Sequence, residues 1–454
     1  MSTISDFTSN SARANVEAAI QKARTDESFN AILALTEERA LERADKVDAG
    51  EITGILAGVP FIAKDNFLTF GAPTTAASRF LETFEAPIQA TAIEKLEAEG
   101  AICIGKANLD AFAHGGSTEN SAFGATKNAF DDTRVAGGSS GGSAVVVALD
   151  IVPFALGSDT GGSIRQPASF NGVVGVKPTY GMVSRFGVVA MASSTDTIGV
   201  LSSSVADAEL VMGILAGQDS RDMTTLPDFF APEATITPKR IAVIEEFMTD
   251  DVDPQVRALI QKQIEDLRNA GHTVETVSLP LLKYALAIYY IVVPAEVSSN
   301  LGRYDGIRYG NRADAATLGD VYGQSRNQGF VPENKRRIMI GSYVLSSGYF
   351  DAYYLQAQKA RTLLINQFNE AFESYDALIG PVAPTPAFKL GENTHDPVKM
   401  YLADIMTVPA SLAGLPALSV PAGVTAEGLP VGLQIIGPRQ SDAMLLALAK
   451  RGEA

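Results

Sequence analysis

Residues 137–143, Gly-Gly-Ser-Ser-Gly-Gly-Ser, and residues 157–168, Gly-Ser-Asp-Thr-Gly-Gly-Ser-Ile-Arg-Gln-Pro-Ala, are the two stretches that decide the fold. Two runs of apolar residues, 144–149 and 151–156, separate them. Glycine allows backbone conformations that other residues avoid, and loops held close to a ligand use that freedom. Two such loops inside an apolar region therefore indicate a functional site built from backbone groups and serine hydroxyls.

The segments around these loops predict alternating strands and helices. Residues 54–63 predict a turn and then a buried strand with Lys64 at its end, and a helix over 87–100 and a strand over 101–105 follow at βαβ spacing. Apolar periodicity predicts a long helix over 12–47, a helix over 254–271 and mostly helix over 283–375. Further strands are predicted at 240–245, 272–278, 375–380, 417–421 and 431–437.

We therefore predict an α/β fold with a large mixed central β-sheet covered by helices on both faces. The predicted single domain spans residues 1–454. Its parts are an N-terminal helical region (about 1–50), a core around the two loops (about 55–200), a mixed region with a helical insertion (about 240–375), and C-terminal strands and a helix (about 376–454).

Composition narrows the class of protein. With 46% apolar residues the chain can bury a large core, and its net charge of −16 argues against direct binding of nucleic acid. The single cysteine, Cys103, stands in an apolar run and cannot form an internal disulfide. The N-terminus has no signal-peptide pattern, and no run of 18 apolar residues predicts a membrane span. We expect a cytoplasmic protein.

The sequence does not support a metal site. Its three histidines, His114, His272 and His395, lie in loop or surface contexts, and neither an HExxH nor a CxxC motif occurs. A Ser-His-Asp triad would have to recruit one of these histidines. Two other interpretations of the glycine loops are also weak. Neither loop has the Lys-Ser/Thr ending of a phosphate-binding P-loop, and residues 131–136 before Ser139 are too polar to be the strand of a hydrolase elbow.

A third interpretation joins both loops with Lys64. A serine hydroxyl is a weak nucleophile and needs a neighbouring base, and a lysine can be that base when burial lowers its pKa. Lys64 closes the apolar strand Val59–Ala63, which is a suitable setting, although a charged lysine at an exposed strand end fits the same pattern. Ser143 and Ser158 stay open between turn residues and site residues.

Together these segments resemble the amidase signature family. The resemblance lies in the two loops and in Gly-Val-Pro-Phe-Ile-Ala-Lys-Asp at 58–65. It implies that Ser163 is the nucleophile, that Ser139 relays the proton across a cis peptide bond, that Lys64 is the base, and that Ser140 supports them. It also implies an oxyanion hole formed by the backbone N–H groups of Thr160, Gly161, Gly162 and Ser163.

Outside the loops, the chain is similar to the branch of this family that hydrolyses glutamine within tRNA-dependent amidotransferases. The similar segments are 108–121, 299–306, 335–338 and 400–404. The resemblance implies partner B and C subunits, of which the B subunit uses ATP and Mg²⁺ and carries mischarged Glu-tRNA or Asp-tRNA. No cofactor is expected on this chain. One departure is His114, which stands where relatives commonly carry Met.

Free glutamine needs one fixed cation and one fixed anion in its binding site. Arg337 could grip the carboxylate and Asp404 could hold the ammonium group. Gly115, Tyr289 and Tyr290 are further candidates for the substrate pocket. Two alternatives remain: a stand-alone amidase for another small amide, and an inactive scaffold within a complex.

Overall fold

A mixed β-sheet runs through the structure, a computed structural model that describes residues 1–233, 237 and 239–450. Residues 234–236, 238 and 451–454 of the predicted domain lie outside the described residues. The strands are β1 (Ile32–Leu35), β2 (Pro60–Lys64), β3 (Ile102–Ala107), β4 (Phe154–Asp159), β5 (Val174–Lys177), β6 (Thr197–Ser202), β7 (Arg240–Ile244), β8 (Thr273–Val277), β9 (Ala377–Pro381), β10 (Ala417–Val424) and β11 (Pro430–Ile436). In the described part of the chain they form one eleven-stranded sheet in the order β1-β3-β2-β4-β6-β5-β10-β11-β9-β7-β8.

Helices cover this sheet. They are α1 (Ile4–Phe7), α2 (Ala12–Thr25), α3 (Glu37–Asp48), α4 (Thr91–Ala98), α5 (Gly141–Ala148), α6 (Arg165–Phe170), α7 (Val205–Leu215), α8 (Pro254–Asn269), α9 (Ala285–Asn300), α10 (Leu318–Gly329), α11 (Pro332–Val344), α12 (Leu355–Phe372), α13 (Pro397–Leu402), α14 (Val408–Leu412) and α15 (Asp442–Lys450). Short 3₁₀ turns occur at Glu27–Phe29, Arg79–Leu81, Ala111–Ala113, Glu245–Phe247, Pro280–Tyr284 and Leu301–Arg303, and a π turn at Phe350–Tyr354.

The sheet separates two hydrophobic cores. Along β2, Phe61 and Ala63 belong to one core and Ile62 to the other, as the period of two in a strand requires. Helices α4, α7, α8, α9, α12, α14 and α15 supply buried residues to the first core. Helices α2, α3, α5 and α6 supply them to the second. The predicted α/β fold, with a mixed sheet between two layers of helices, is confirmed.

The predicted βαβ unit is also present. Strand β2 pairs in parallel with β3 on one side and with β4 on the other. Parallel strands place their carboxyl ends at the same edge of a sheet, so the residues that follow β2 and β4 meet there. Lys64, at the end of β2, and the loop after Asp159, at the end of β4, are thereby brought close together.

The prediction of one helix over 12–47 is wrong. Helix α2 ends at Thr25, and Asn30 adopts a left-handed conformation with φ 51° that no helix continues through. The apolar residues that follow form the edge strand β1, which pairs antiparallel with β3. A short unbroken apolar run fits a strand and a helix equally well by periodicity. The N-terminal region is therefore helical only on either side of this strand.

By length and composition alone, the segment Pro280–Arg303 could cross a membrane. Half of its most apolar 18-residue stretch, however, is buried inside the structure. Helix α9, which makes up most of it, packs against α11 and α12. Its buried residues, among them Tyr289 and Val292, belong to the first hydrophobic core. Helix α9 is therefore apolar because it packs in the core of the fold.

Candidate active site

Lys64 is fully buried at the end of β2, and its amine lies among serine oxygens. Its Nζ atom is 2.8 Å from the Oγ atoms of both Ser139 and Ser140. It is also 3.0 Å from Oγ and 3.3 Å from the carbonyl oxygen of Ser158. Burial lowers the pKa of Lys64 to about 7, although three nearby aspartates oppose this shift. The amine is therefore uncharged in about half of the molecules at neutral pH.

Ser139 and Ser140 lie on the turn that leads into helix α5. The Gly138–Ser139 peptide bond is cis, as the family resemblance implied. The N–H of Ser140 donates to the carbonyl oxygen of Ser163 at 3.1 Å, which ties this turn to the loop that carries the second serine. Ser139 is fully buried, whereas Ser163 is 8% exposed. The structure thus brings the amine of Lys64 into contact with Ser139 and Ser140 and ties their turn to the loop of Ser163, and the catalytic roles of these residues stay predictions.

The loop after β4 holds the predicted oxyanion donors. The N–H of Gly162 donates to Oδ1 of Asp159 at 2.8 Å. One N–H cannot serve both this carboxylate and a substrate oxygen at full strength, so the structure does not support Gly162 as a donor. The roles of Thr160, Gly161 and Ser163 stay predictions.

A small polar cavity of about 60 Å³ gathers four of the five residues predicted to bind substrate: Gly115, Tyr290, Arg337 and Asp404. The fifth, Tyr289, packs against the catalytic loop, since a Cβ atom built on Gly161 would lie 2.8 Å from its ring. The rings of Tyr289 and Tyr290 meet edge to face with centroids 5.2 Å apart. Tyr290 therefore lines the cavity while Tyr289 contacts the loop, so this pair of rings lies between the two.

Arg337, on helix α11, presents a buried guanidinium group to this cavity. Its Nε atom donates to Oε1 of Glu333 at 2.8 Å, and its Cζ atom lies 5.4 Å and 5.8 Å from the ring centroids of Tyr290 and Tyr401. Within the described part of the chain, no protein acceptor meets its Nη1 and Nη2 atoms. A guanidinium binds a carboxylate through two parallel N–H groups, so this side chain can hold a ligand carboxylate.

Asp404 places a carboxyl group in the same cavity. Its Oδ1 atom is buried and has no hydrogen-bond partner among the described residues. Burial raises the pKa of Asp404 to about 8, although Arg337 acts to lower it. A buried carboxylate oxygen without a donor is unfavourable, and a ligand ammonium group would supply donors. Arg337 and Asp404 together therefore fit the two charged groups of a free amino acid.

Sequence reasoning missed part of the support around Lys64. Ser158, which the sequence left open, contacts Nζ directly, and Nδ2 of Asn66 donates to Oγ of Ser158 at 3.0 Å. Both residues line a second cavity of about 230 Å³. By contrast, Ser143 donates to the carbonyl oxygen of Leu156 and is a structural residue of helix α5. Only proximity in sequence to Lys64 and Ser163 could have identified Asn66 and Ser158.

Two further features concern metal-binding groups and His114. Across residues 1–233, 237 and 239–450, no group of three or more His, Cys, Asp or Glu side chains could hold a metal ion. His114 is fully buried, and its Nδ1 atom lies 3.3 Å from the carbonyl oxygen of Ala111. Burial, assisted by the charge of Arg337, lowers its pKa well below the usual value. His114 is thus an uncharged residue packed beside Gly115.

A buried lysine beside paired serines, at the edge of this sheet, defines an amidase-type hydrolase. The chain belongs to the amidase family: the model of the family described as "Amidase" matches residues 14–446.

Within that family, two relatives and one solved structure with 40% identity or more to this chain carry the same name. The chain is 53% identical over 422 residues to the A subunit of Glutamyl-tRNA(Gln) amidotransferase from Lactiplantibacillus plantarum, covering 91% of this chain and 86% of that protein. It is 51% identical over 437 residues to the protein of that name from Thermosynechococcus vestitus, covering 94% and 91%. The crystal structure of the A subunit of Glutamyl-tRNA(Gln) amidotransferase from Thermotoga maritima matches with a TM-score of 0.82 and 40% identity, over 99% of this chain and 93% of that one.

Proposed function

We propose that this chain is the glutamine-hydrolysing A subunit of a tRNA-dependent amidotransferase that forms Gln-tRNA(Gln). The observation that carries the proposal is the pairing of Arg337 with Asp404 in one cavity. That cavity offers a guanidinium for a carboxylate and an unpartnered carboxylate oxygen for an ammonium group. Its small volume and charged walls favour a small polar amide over a fatty or aromatic one.

Acylation would begin at Ser163. Its Oγ attacks the side-chain amide carbon of glutamine, while its proton passes through the hydroxyl of Ser139 to the uncharged amine of Lys64. The amide oxygen becomes an oxyanion, which the backbone N–H groups of Thr160, Gly161 and Ser163 stabilise. The 2.8 Å contact between Lys64 and Ser139 supports this relay, since it places the amine within reach of the proton.

Ammonia leaves in the next step. The protonated amine of Lys64 returns its proton through Ser139 to the amide nitrogen, and the C–N bond breaks as ammonia forms. Ser163 then carries the glutamyl group as an ester. A water molecule attacks this ester, and the same relay takes its proton and returns one to Ser163 Oγ, which releases glutamate and restores the site.

Partner subunits would use the ammonia. We place ATP, Mg²⁺ and mischarged Glu-tRNA or Asp-tRNA on the B subunit, with the C subunit completing the complex. The net charge of −16 supports this division, because an acidic chain is a poor surface for tRNA. This chain needs no cofactor in the proposed steps, since its own side chains supply nucleophile, acid and base. Cys103, buried and free, suits the reducing cytosol.

The test is ammonia release from glutamine by the complex of this chain with its B and C subunits, compared with the chain alone. Ser163→Ala should lower the rate by about a thousandfold or more, because nucleophile and base act as one unit. Ser143→Ala is the matched control, since this serine of helix α5 donates to the carbonyl oxygen of Leu156 and does not contact Lys64.

A Ser163→Ala complex that keeps more than about a tenth of the rate would contradict the assigned nucleophile. Comparable turnover of simple aliphatic amides by the chain alone would favour the stand-alone amidase instead.

A further inference from the structure

The Gly161–Gly162 peptide unit is held at both of its polar ends by side chains. Its carbonyl oxygen accepts a hydrogen bond from Oγ1 of Thr407 at 2.7 Å, and its N–H donates to Oδ1 of Asp159 at 2.8 Å. A Cβ atom built on the second glycine would lie 2.1 Å from Oγ1 of Thr407, so the two groups are in close contact. Holding both ends fixes the plane of the peptide, and with it the directions of the flanking N–H groups.

One guanidinium group joins these two holding residues. Nε and Nη2 of Arg165 each donate to the carboxylate of Asp159 at 3.0 Å. Nη1 of Arg165 donates to the carbonyl oxygen of Thr407 at 2.9 Å. All three residues are fully buried. A displacement of Thr407 therefore reaches the Gly161–Gly162 peptide unit by two routes: directly at the carbonyl oxygen, and through Arg165 and Asp159 at the N–H.

Thr407 also belongs to the turn that carries Asp404. The N–H of Thr407 donates to the carbonyl oxygen of Asp404 at 3.1 Å, and its Oγ1 lies 3.1 Å from the same oxygen. The single hydroxyl proton favours the shorter contact with Gly161. One residue thus contacts both the oxyanion loop and the backbone of the residue assigned to the substrate ammonium group.

We propose that Thr407 is a positioning residue that couples recognition of the substrate's α-ammonium group to alignment of the oxyanion loop. This inference rests on the proposed function. An ammonium group bound to Asp404 steadies the turn 404–407, and the turn in turn steadies the Gly161–Gly162 unit. A substrate that carries the α-amine therefore gains in kcat as well as in affinity.

Variants of Thr407 test the positioning role in the complex with the partner subunits. Thr407→Val keeps the shape but removes the hydroxyl, and it should lower kcat for glutamine about 10- to 100-fold while KM changes less than about threefold. Thr407→Ser keeps the hydroxyl and should retain kcat within about threefold. Equal kcat in the two variants, with melting temperatures showing that both fold, overturns the proposal. Failure of the wild-type complex to hydrolyse glutamine would instead refute the proposed function.

A second measurement needs no variant. Glutaramate is glutamine without its α-amino group, so it cannot engage Asp404. At saturation the wild-type complex should turn it over about tenfold more slowly than glutamine, and this difference should disappear in Thr407→Val. Equal kcat for glutaramate and glutamine in the wild-type complex removes the coupling, whether or not the valine variant folds.

Discussion

Raising the pH from 6 to 8 should increase kcat for glutamine hydrolysis about tenfold, with a midpoint near the pKa of Lys64, which burial lowers from 10.5 to about 7. The proposed base is the uncharged amine, so activity is lost as the pH falls through this pKa and the amine gains a proton. About a tenth of the molecules hold an uncharged amine at pH 6 and about nine tenths at pH 8. A lysine with its ordinary pKa would instead give about a hundredfold rise without a plateau.

The assay is the initial rate of ammonia release at saturating glutamine, which reports groups in the substrate complex rather than groups that govern binding. Circular dichroism at each pH shows that the fold is retained. Lys64→Ala is the control, and its residual rate should be flat over the same range. A wild-type rate that rises a hundredfold without a plateau, or that does not change at all, refutes an uncharged Lys64 as base.

Three further substitutions test the site. Arg337→Ala should raise KM for glutamine about 10- to 100-fold, because it removes the partner of the substrate's carboxylate. Lys335→Ala, on the same helix, is the control and should change KM less than about threefold. Equal effects of the two substitutions remove Arg337 from the site. Because burial raises the pKa of Asp404 to about 8, KM should fall as the pH rises through 8 and the carboxylate forms. In Asp404→Asn, KM should be higher and lose this pH dependence, and an unchanged profile would contradict the ammonium contact. Gly162→Ala places a Cβ atom 2.1 Å from Oγ1 of Thr407 at a backbone φ of +143°. It should lower the free energy of unfolding, measured in urea, by about 2–4 kcal/mol and cause a large loss of kcat. A variant as stable as the wild type refutes the close contact.

Local sequence singled out the segments that contain Lys64, Ser139 and Ser163, and the family resemblance implied their roles. Each lies in a segment whose composition is unusual, either an apolar strand that ends in a lysine or a loop of glycine and serine. The predicted βαβ unit places Lys64 at the carboxyl end of β2, but the parallel pairing of β2 with β4, which brings the loop of Ser163 beside it, was not predicted. Strands β7, β9, β10 and β11 were predictable because each is a largely apolar run bounded by turn residues or a charged helix, and β8 because valine alternates there with Thr and Glu.

The supports of the site could not be found in this way. Thr407 meets the Gly161 carbonyl across 246 positions of sequence, and nothing near Thr407 marks it as a partner of that loop. The hydrogen bond of Gly162 was also hidden from the sequence. The glycine-rich composition of its loop suggests an oxyanion donor, and only the folded structure shows that Asp159 accepts its N–H. Strand β1 was missed because a short apolar run at a sheet edge has no periodicity of its own.

Arg165, two positions after Ser163, also donates to Oε1 of Gln434 on β11 at 2.6 Å, across 269 positions of sequence. During synthesis the lysine, both serines and their loops leave the ribosome long before that glutamine does. The turn that carries Ser163 therefore acquires this support only after residue 434 has been synthesised.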